Sequence, residues 1–117
     1  MIIGTVSTEH QQAVASQVFR AETMFERMRG LLSHPPLSAE QGYWLEPCNS
    51  VHTFGMRYAL DVIFLDAGGL IVKIVENLRP WRIAGAIGAR VSLELQKGAV
   101  GRLGLTEGQK LNWQPAQ

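Results

Sequence analysis

The sequence contains a single cysteine, Cys48, among its 117 residues. One thiol excludes an intrachain disulfide and fits a reducing compartment. Residues 1–12 hold no basic stretch followed by an apolar one, as a secretory signal would, and no apolar run reaches the ~18 residues of a membrane span. We therefore expect a cytoplasmic protein with no membrane partner.

The chain also lacks an excess of charge of either sign. Eleven Lys and Arg residues oppose ten Asp and Glu residues, which gives a formal net charge of +1. This balance produces no global field that would attract phosphate groups. Only Arg79 and Arg82 flank an aromatic residue, Trp81, which is too little for a binding stripe. Nucleic acid is therefore not an expected partner.

Recognisable metal and phosphate motifs are missing as well. The side chains that bind soft metals are Cys48, His10, His34 and His52, and none of them shows a C-x-x-C or H-x-x-x-H spacing. The glycine-rich stretch 98–104 carries no Gly-Lys-Thr motif. We therefore expect neither a metal nor a cofactor.

The chain does have enough apolar material for a core. Hydrophobic residues make up 46% of the sequence and charged residues 18%, unlike the composition of a disordered chain. A chain of this length buries roughly two thirds of its unfolded surface without disulfides or metals. We expect residues 1–117 to form a single domain.

One helix is predicted in the N-terminal half of the chain. Five apolar side chains fall on one side of a 3.6-residue wheel: Met24, Phe25, Met28, Leu31 and Leu32. Thr23 and Glu26 have the spacing of a capping box, which satisfies two amides at the start of a helix. Pro35 and Pro36 end it.

Short apolar runs separated by turn residues occupy the rest of the chain, a pattern typical of β-sandwiches and small barrels. Runs 2–6 and 12–20 predict a hairpin, and further strands are predicted at 43–45, 50–56, 60–65, 70–77, 90–96 and 109–113. The turn 66–69 is expected to join two of these strands in an antiparallel hairpin. In the run 90–96, alternation predicts that Ser92, Glu94 and Gln96 face water.

These patterns predict a mainly β fold, a small distorted β-barrel or sandwich of antiparallel strands with the one N-terminal α-helix packed on it. Residues 78–88 interrupt the pattern with Pro80, Trp81 and two glycines and show no sustained periodicity. An irregular loop of this length is often functional in a compact domain.

Several segments resemble a known family. They are the helix end Arg29-Gly30-Leu31-Leu32, the pair Phe54-x-Met56, the strand Asp61-x-x-Phe64-x-Asp66 and the alternation of residues 91–95. In this order the segments resemble the prokaryotic family called domain of unknown function 192, over residues 22–111. Many relatives have Trp and Lys where this chain has Gly55 and Arg57. The resemblance implies a small distorted β-barrel or sandwich with a packed helix, and no established activity.

Cys48 and His52 have the residue types of a thiolate–imidazolium catalyst. In an extended chain their backbones would be ~13 Å apart at 3.3 Å per residue, beyond hydrogen-bond reach. Only a turn at Asn49 and Ser50 would close that gap. The spacing therefore favours a buried cysteine and a hydrogen-bonded strand histidine over a catalytic pair.

Asp61 lies in a predicted strand with two apolar faces, so its carboxylate needs a partner. Arg29 falls at the edge of the apolar stripe of the predicted helix and is the favoured partner, in a structural Arg29–Asp61 ion pair. The alternative is that Arg57 and Asp61 line a pocket with His52 and Thr53.

The leading functional hypothesis is a binding module, not an enzyme, for a small polar ligand or a partner peptide. The expected lining residues combine aromatic, apolar and polar groups: His52, Thr53, Phe54, Met56, Arg57 and Trp81. One alternative is an enzyme that uses Cys48, or His52 and Asp61 as an acid–base pair. Another is a structural or interaction domain, as a monomer or as a homodimer formed through an edge strand.

Overall fold

The computed structural model describes residues 2–21, 23, 26 and 36–116. These residues form nine β-strands and one short helix, as the prediction of a mainly β fold requires. Their order is β1 (Ile2–Thr8), β2 (Ala13–Ala21), β3 (Gln41–Leu45), β4 (Ser50–His52), β5 (Leu60–Leu65), β6 (Ile71–Leu78), β7 (Ile83–Gly85), β8 (Val91–Gln96), α1 (Ala99–Leu103) and β9 (Leu111–Pro115). In this part of the chain, no helix is long and apolar enough to cross a bilayer.

Seven of the strands form one sheet in the order β6-β5-β8-β3-β2-β1-β9, and β4 and β7 form a separate two-stranded ribbon. All neighbours in the large sheet are antiparallel except β2 and β3, which run parallel. Parallel neighbours need a crossover connection, and the stretch between β2 and β3 contains the predicted helix. The expectation of antiparallel strands therefore holds for every pair in the sheet except this one.

The two edge strands of the large sheet, β6 and β9, meet at one end. Leu70 and Lys110 form an isolated bridge, and the Ile71 and Leu111 amides donate to the carbonyls of Gln109 and Gly69 at 2.8 and 2.9 Å. The described residues form no continuous ladder along the rest of these strands. The sheet is therefore curled into a distorted, unclosed barrel, which confirms the predicted fold class.

The sheet carries a hydrophobic cluster on each of its faces. Inside the curl lie Val18, Trp44, Ile63, Leu93 and other residues of the first cluster. On the outer face of the central strands, the second cluster includes Tyr43, Val62 and Phe64. All six residues of β5 are buried because alternate side chains enter the two clusters.

The prediction that one face of β8 is wetted is wrong. Ser92 and Glu94 are both 0% exposed. The Ser92 hydroxyl donates to the Cys48 carbonyl at 3.0 Å, and Ala84 and Ala86 pack against the same outer cluster. Alternation of polar and apolar residues distinguished the two faces of this strand, but a second layer of chain covers the polar face.

Two predicted local features are found where expected. β1 and β2 pair as an antiparallel hairpin, and so do β5 and β6. In the turn between β5 and β6, the Asp66 carboxylate accepts the amides of Gly68 and Leu70, both at 2.9 Å. Of the predicted N-terminal helix only Thr23 and Glu26 are described, with the Glu26 amide donating to the Thr23 hydroxyl at 3.1 Å. The rest of that helix lies outside the described residues.

Asp61 ties the end of the sheet to α1. Its side chain is 0% exposed, and its two oxygens accept backbone amides of Asn77 at 2.9 Å and Val100 at 3.0 Å. Asn77 has φ +55° in β6, where the β5–β6 register is irregular. The carboxylate therefore satisfies amides that an irregular strand and a helix start leave without a regular partner.

We expect Asp61→Ala to lower the free energy of unfolding by about 2–5 kcal/mol, because two buried or half-buried amides lose their acceptor. Urea denaturation would measure this loss. Asp66→Ala is the matched control in a half-exposed turn, with an expected loss of about 1 kcal/mol. Equal losses for the two variants would contradict the role assigned to Asp61.

Candidate functional site

The β4–β7 ribbon and its flanking turns, residues 47–59 and 79–90, lie over the outer face of the sheet and are called the arm. Cross-strand pairs in the ribbon are Val51 with Ala84 and His52 with Ile83. Val51 is buried and Ala84 packs against the outer cluster. Because side chains alternate along a strand, His52 and Ile83 lie on the opposite, outward face.

Three aromatic rings stack on this outward face. The ring centroids of His52 and Phe54 are 4.8 Å apart with an interplanar angle of 26°, and those of Phe54 and Trp81 are 5.8 Å apart at 24°. Both distances are typical of favourable aromatic pairs. Phe54 is 39% exposed, Trp81 65% and Ile83 69%. His52, Phe54, Trp81 and Ile83 together form an exposed patch called the aromatic surface.

Thr53 lies under the aromatic surface and joins the two turns that carry it. Its buried hydroxyl donates to the Arg79 carbonyl at 2.6 Å and accepts the Arg82 amide at 3.0 Å. Its backbone amide donates to the Arg82 carbonyl at 2.9 Å, and its carbonyl accepts the Trp81 amide at 3.1 Å. One residue thus satisfies backbone groups of three residues in the turn 79–82.

Trp81 has an unusual backbone conformation, with φ +63°. Positive φ is rare for residues with a large side chain and costs on the order of 1–3 kcal/mol. Such strain persists only when neighbouring contacts determine the conformation, and the four hydrogen bonds of Thr53 supply them. These bonds therefore hold the backbone of an exposed tryptophan in a strained conformation.

The arm is also rich in arginine. Arg57, Arg79 and Arg82 are exposed, and none of them forms an ion pair with a residue that the structure describes. The fourth arginine, Arg90, has its Nε 3.6 Å from the Glu46 carboxylate. These three guanidinium groups thus have no ion pair among the described residues, and that of Arg82 donates to the Trp81 carbonyl at 3.4 Å.

Cys48 and His52 are each bonded within their own turn. The half-buried Cys48 thiol donates to the Ser50 carbonyl at 3.0 Å. Nδ1 of His52 accepts the Phe54 amide at 3.3 Å. No hydrogen bond joins Cys48 to His52, so this histidine is not placed as a base for the thiol.

The predicted site residues fall into two groups. His52, Phe54 and Trp81 form the stack, and Arg57 is exposed on the same arm. Thr53 and Met56 are buried beneath, at 0% and 3% exposure, and are not accessible to a ligand in this structure.

Asp61 is likewise inaccessible, and both of its oxygens hold backbone amides rather than the Arg57 guanidinium. The predicted Arg29–Asp61 ion pair lies outside the described residues because Arg29 is not among them. A shared pocket of His52, Arg57 and Asp61 would need a carboxylate with exposed surface, which Asp61 lacks.

Ile83 is an exposed residue of the site that sequence reasoning did not find. It belongs to β7, a three-residue strand inside the stretch 78–88 that showed no periodicity. Its place beside His52 follows from pairing with a distant strand, and no local pattern reveals that pairing. The length of the irregular stretch was the signal that pointed to this region.

Cavities lie away from the aromatic surface, and one of them has the arm residues Tyr58 and Ala59 in its lining. A cavity of about 410 Å³ is lined by residues including Leu37 and Lys97, and one of about 370 Å³ by residues including His10 and Glu107. A third, of about 150 Å³, lies between Trp44 and the loop 66–69. Within the described ranges, no group of three or more His, Cys, Asp or Glu side chains is placed to hold a metal ion.

Comparisons with known proteins place these features in a family. The model of domain of unknown function 192, described as "Uncharacterized ACR", matches residues 5–113. A UPF0127 protein of Thermococcus sibiricus is 31% identical over 99 residues, which cover 80% of this chain and 64% of that relative. The chain therefore spans less than two thirds of the length of this relative.

Two solved structures share the fold. A Sinorhizobium meliloti protein described as a "putative transcription regulator" superposes with a TM-score of 0.79 at 23% identity, over 96% of this chain and 92% of that one. A Novosphingobium aromaticivorans protein of unknown function gives 0.76 at 25% identity, over 95% and 84%. With the family model matching nearly its full length, the chain belongs to the family of domain of unknown function 192.

Proposed function

We propose that this protein is a binding module, not an enzyme, and that it docks a segment of a partner protein on the aromatic surface. The observation that carries the proposal is the ordered stack of His52, Phe54 and Trp81, whose outermost ring is 65% exposed. Tryptophan and arginine are the residue types most enriched among the residues that dominate binding energy at protein interfaces. The arm supplies both.

The form of the surface favours a peptide over a small ligand. Small-molecule sites are concave and bury most of the ligand. The three cavities described above have other lining residues. Trp81 and Ile83 instead present open apolar area, which in a soluble domain often marks an interaction site.

The placement of the reactive side chains disfavours the enzymatic alternative. Cys48 is bonded to a carbonyl in its own turn, and Asp61 is buried under two backbone amides. Catalysis by covalent or acid–base chemistry needs a nucleophile or a proton-transfer group within hydrogen-bond reach of a substrate. Of these groups Asp61 is inaccessible, whereas Cys48 is half-buried and the His52 ring lies in the exposed stack.

Selection from a phage-displayed peptide library tests the function. We expect peptides selected on the wild-type protein to bind with dissociation constants of about 1–100 μM, and at least ~10-fold more weakly to Trp81→Asn, measured by fluorescence anisotropy. Ile2→Ala removes an equally exposed apolar side chain on β1 and should leave affinity unchanged. Failure to enrich any peptide, or equal binding to Trp81→Asn, would argue against the proposal.

Trp81→Asn should leave the free energy of unfolding within about 1 kcal/mol of wild type. Asparagine tolerates the left-handed conformation, and this relief offsets the lost contact with Phe54. Thermal and urea denaturation would measure the change. If the free energy of unfolding fell by several kcal/mol, Trp81 would contribute to stability rather than to binding.

Unlike Trp81→Asn, the variant Thr53→Val should lower the free energy of unfolding by about 2–4 kcal/mol. Valine keeps the shape of threonine but leaves the Arg79 carbonyl and the Arg82 amide without their side-chain partner. The control Thr106→Val alters an exposed turn residue and should cost less than about 0.5 kcal/mol. If both variants unfold at the same urea concentration, Thr53 does not hold the arm together.

A further inference from the structure

Charge is segregated between the arm and the rest of the molecule. The arm, residues 47–59 and 79–90, contains four arginines and no aspartate or glutamate. The remainder of the chain holds seven basic and ten acidic residues. The net charge of +1 is therefore the sum of a cationic arm and a remainder with a small excess of acidic residues.

Three of these arginines lie in or next to the turns that carry the aromatic surface. Arg79 and Arg82 belong to the same turn as Trp81, and Thr53 fixes the backbone of both. Arg57 follows the turn in which the Met56 amide donates to the Thr53 carbonyl at 3.2 Å. All three guanidinium groups are exposed and make no ion pair with any residue of the described part of the chain.

A guanidinium group binds a carboxylate through two parallel hydrogen bonds, which combine charge with directional specificity. An apolar ring flanked by guanidinium groups is complementary to a ligand whose apolar group is flanked by carboxylates. That ligand has an apolar side chain to cover Trp81 and carboxylates next to it. Complementary charge also speeds the encounter and excludes cationic partners.

Other anionic partners fit less well. Proteins that bind single-stranded nucleic acid offer separate ring faces to successive bases, whereas His52, Phe54 and Trp81 are stacked on one another. Stacking leaves only the outer face of Trp81 open to a base. Attraction to anionic lipid typically takes clusters of about four to eight basic residues, whereas three arginines without an ion pair among the described residues lie on the arm.

We infer that the partner segment of the aromatic surface is acidic, with an apolar anchor residue flanked by aspartate or glutamate. This inference rests on the proposed function, since it names the chemistry of the segment docked there. It extends that function by assigning Arg79 and Arg82 the role of selecting partners by charge.

Three fluorescein-labelled peptides of one length test the inference directly. Each carries a central leucine–tryptophan anchor, flanked by glutamates, by glutamines or by lysines. We expect the glutamate peptide to bind about 10-fold or more tightly than the glutamine peptide, and the lysine peptide to bind most weakly. Raising ionic strength from about 0.05 to about 0.5 M should weaken the glutamate peptide several-fold and leave the glutamine peptide nearly unchanged.

The double variant Arg79→Gln, Arg82→Gln should bind the glutamate peptide no better than the glutamine peptide. Arg102→Gln, which removes an exposed arginine on α1, is the matched control and should bind as wild type does. Circular dichroism would verify that both variants are folded. If Arg102→Gln weakened binding of the glutamate peptide as much as the double variant does, the inference would be overturned, because the attraction would then depend on net charge alone.

These outcomes distinguish failure of the inference from failure of the proposed binding function. If library selection yields Trp81-dependent peptides without acidic residues, or if all three test peptides bind equally, the inference is wrong and the binding function stands. If selection yields nothing and no peptide binds, both fail. Tighter Trp81-dependent binding to oligothymidylate or to phosphatidylglycerol vesicles than to the glutamate peptide would overturn the acidic-peptide inference in favour of nucleic acid or lipid.

Discussion

The central strands of the sheet are buried on both faces, and most of the architecture follows from this constraint. Every residue of β5 is buried, and so are five of the six residues of β8. The curl of the sheet encloses one face, but the other needs a second layer of chain. The arm provides that layer, with Val51 and Met56 packed inward. Because strand side chains alternate, covering the outer cluster necessarily places other arm side chains in solvent.

The side chains placed in solvent are aromatic and are held in a fixed arrangement. The arm has only a three-residue ribbon of its own, so regular pairing contributes little to its order. Thr53 compensates by joining the turns 53–56 and 79–82 through side-chain and backbone bonds. A fixed arrangement lowers the entropy lost on binding, which is one way a small surface attains useful affinity. The hydrogen bonds of Thr53 thus both order the arm and stabilise the strained backbone of Trp81.

Local sequence patterns predicted the features that arise locally. The β1–β2 hairpin and the β5–β6 hairpin with its Asp66 turn were both found. Features that depend on distant pairing were not predicted, among them the parallel β2–β3 pair and the burial of Glu94. The candidate site divided in the same way. Phe54 and Trp81, predicted as site residues, are exposed, whereas the burial of Met56 and the exposure of Ile83 depend on how the arm lies on the sheet.

The unclosed edge of the sheet has a consequence for self-association. Beyond Ile71, the described residues leave the outer edge of β6 without a strand partner, and a free edge of this kind is a template for adding strands from other molecules. Lys73 and Glu76 place charges on that strand, and the Lys73 ammonium donates to the Gly85 carbonyl of the arm at 2.7 Å. Charged side chains are a common protection of edge strands. Lys73 therefore has two effects on this edge, since its charge disfavours the pairing of another strand and its hydrogen bond ties the edge strand to the arm.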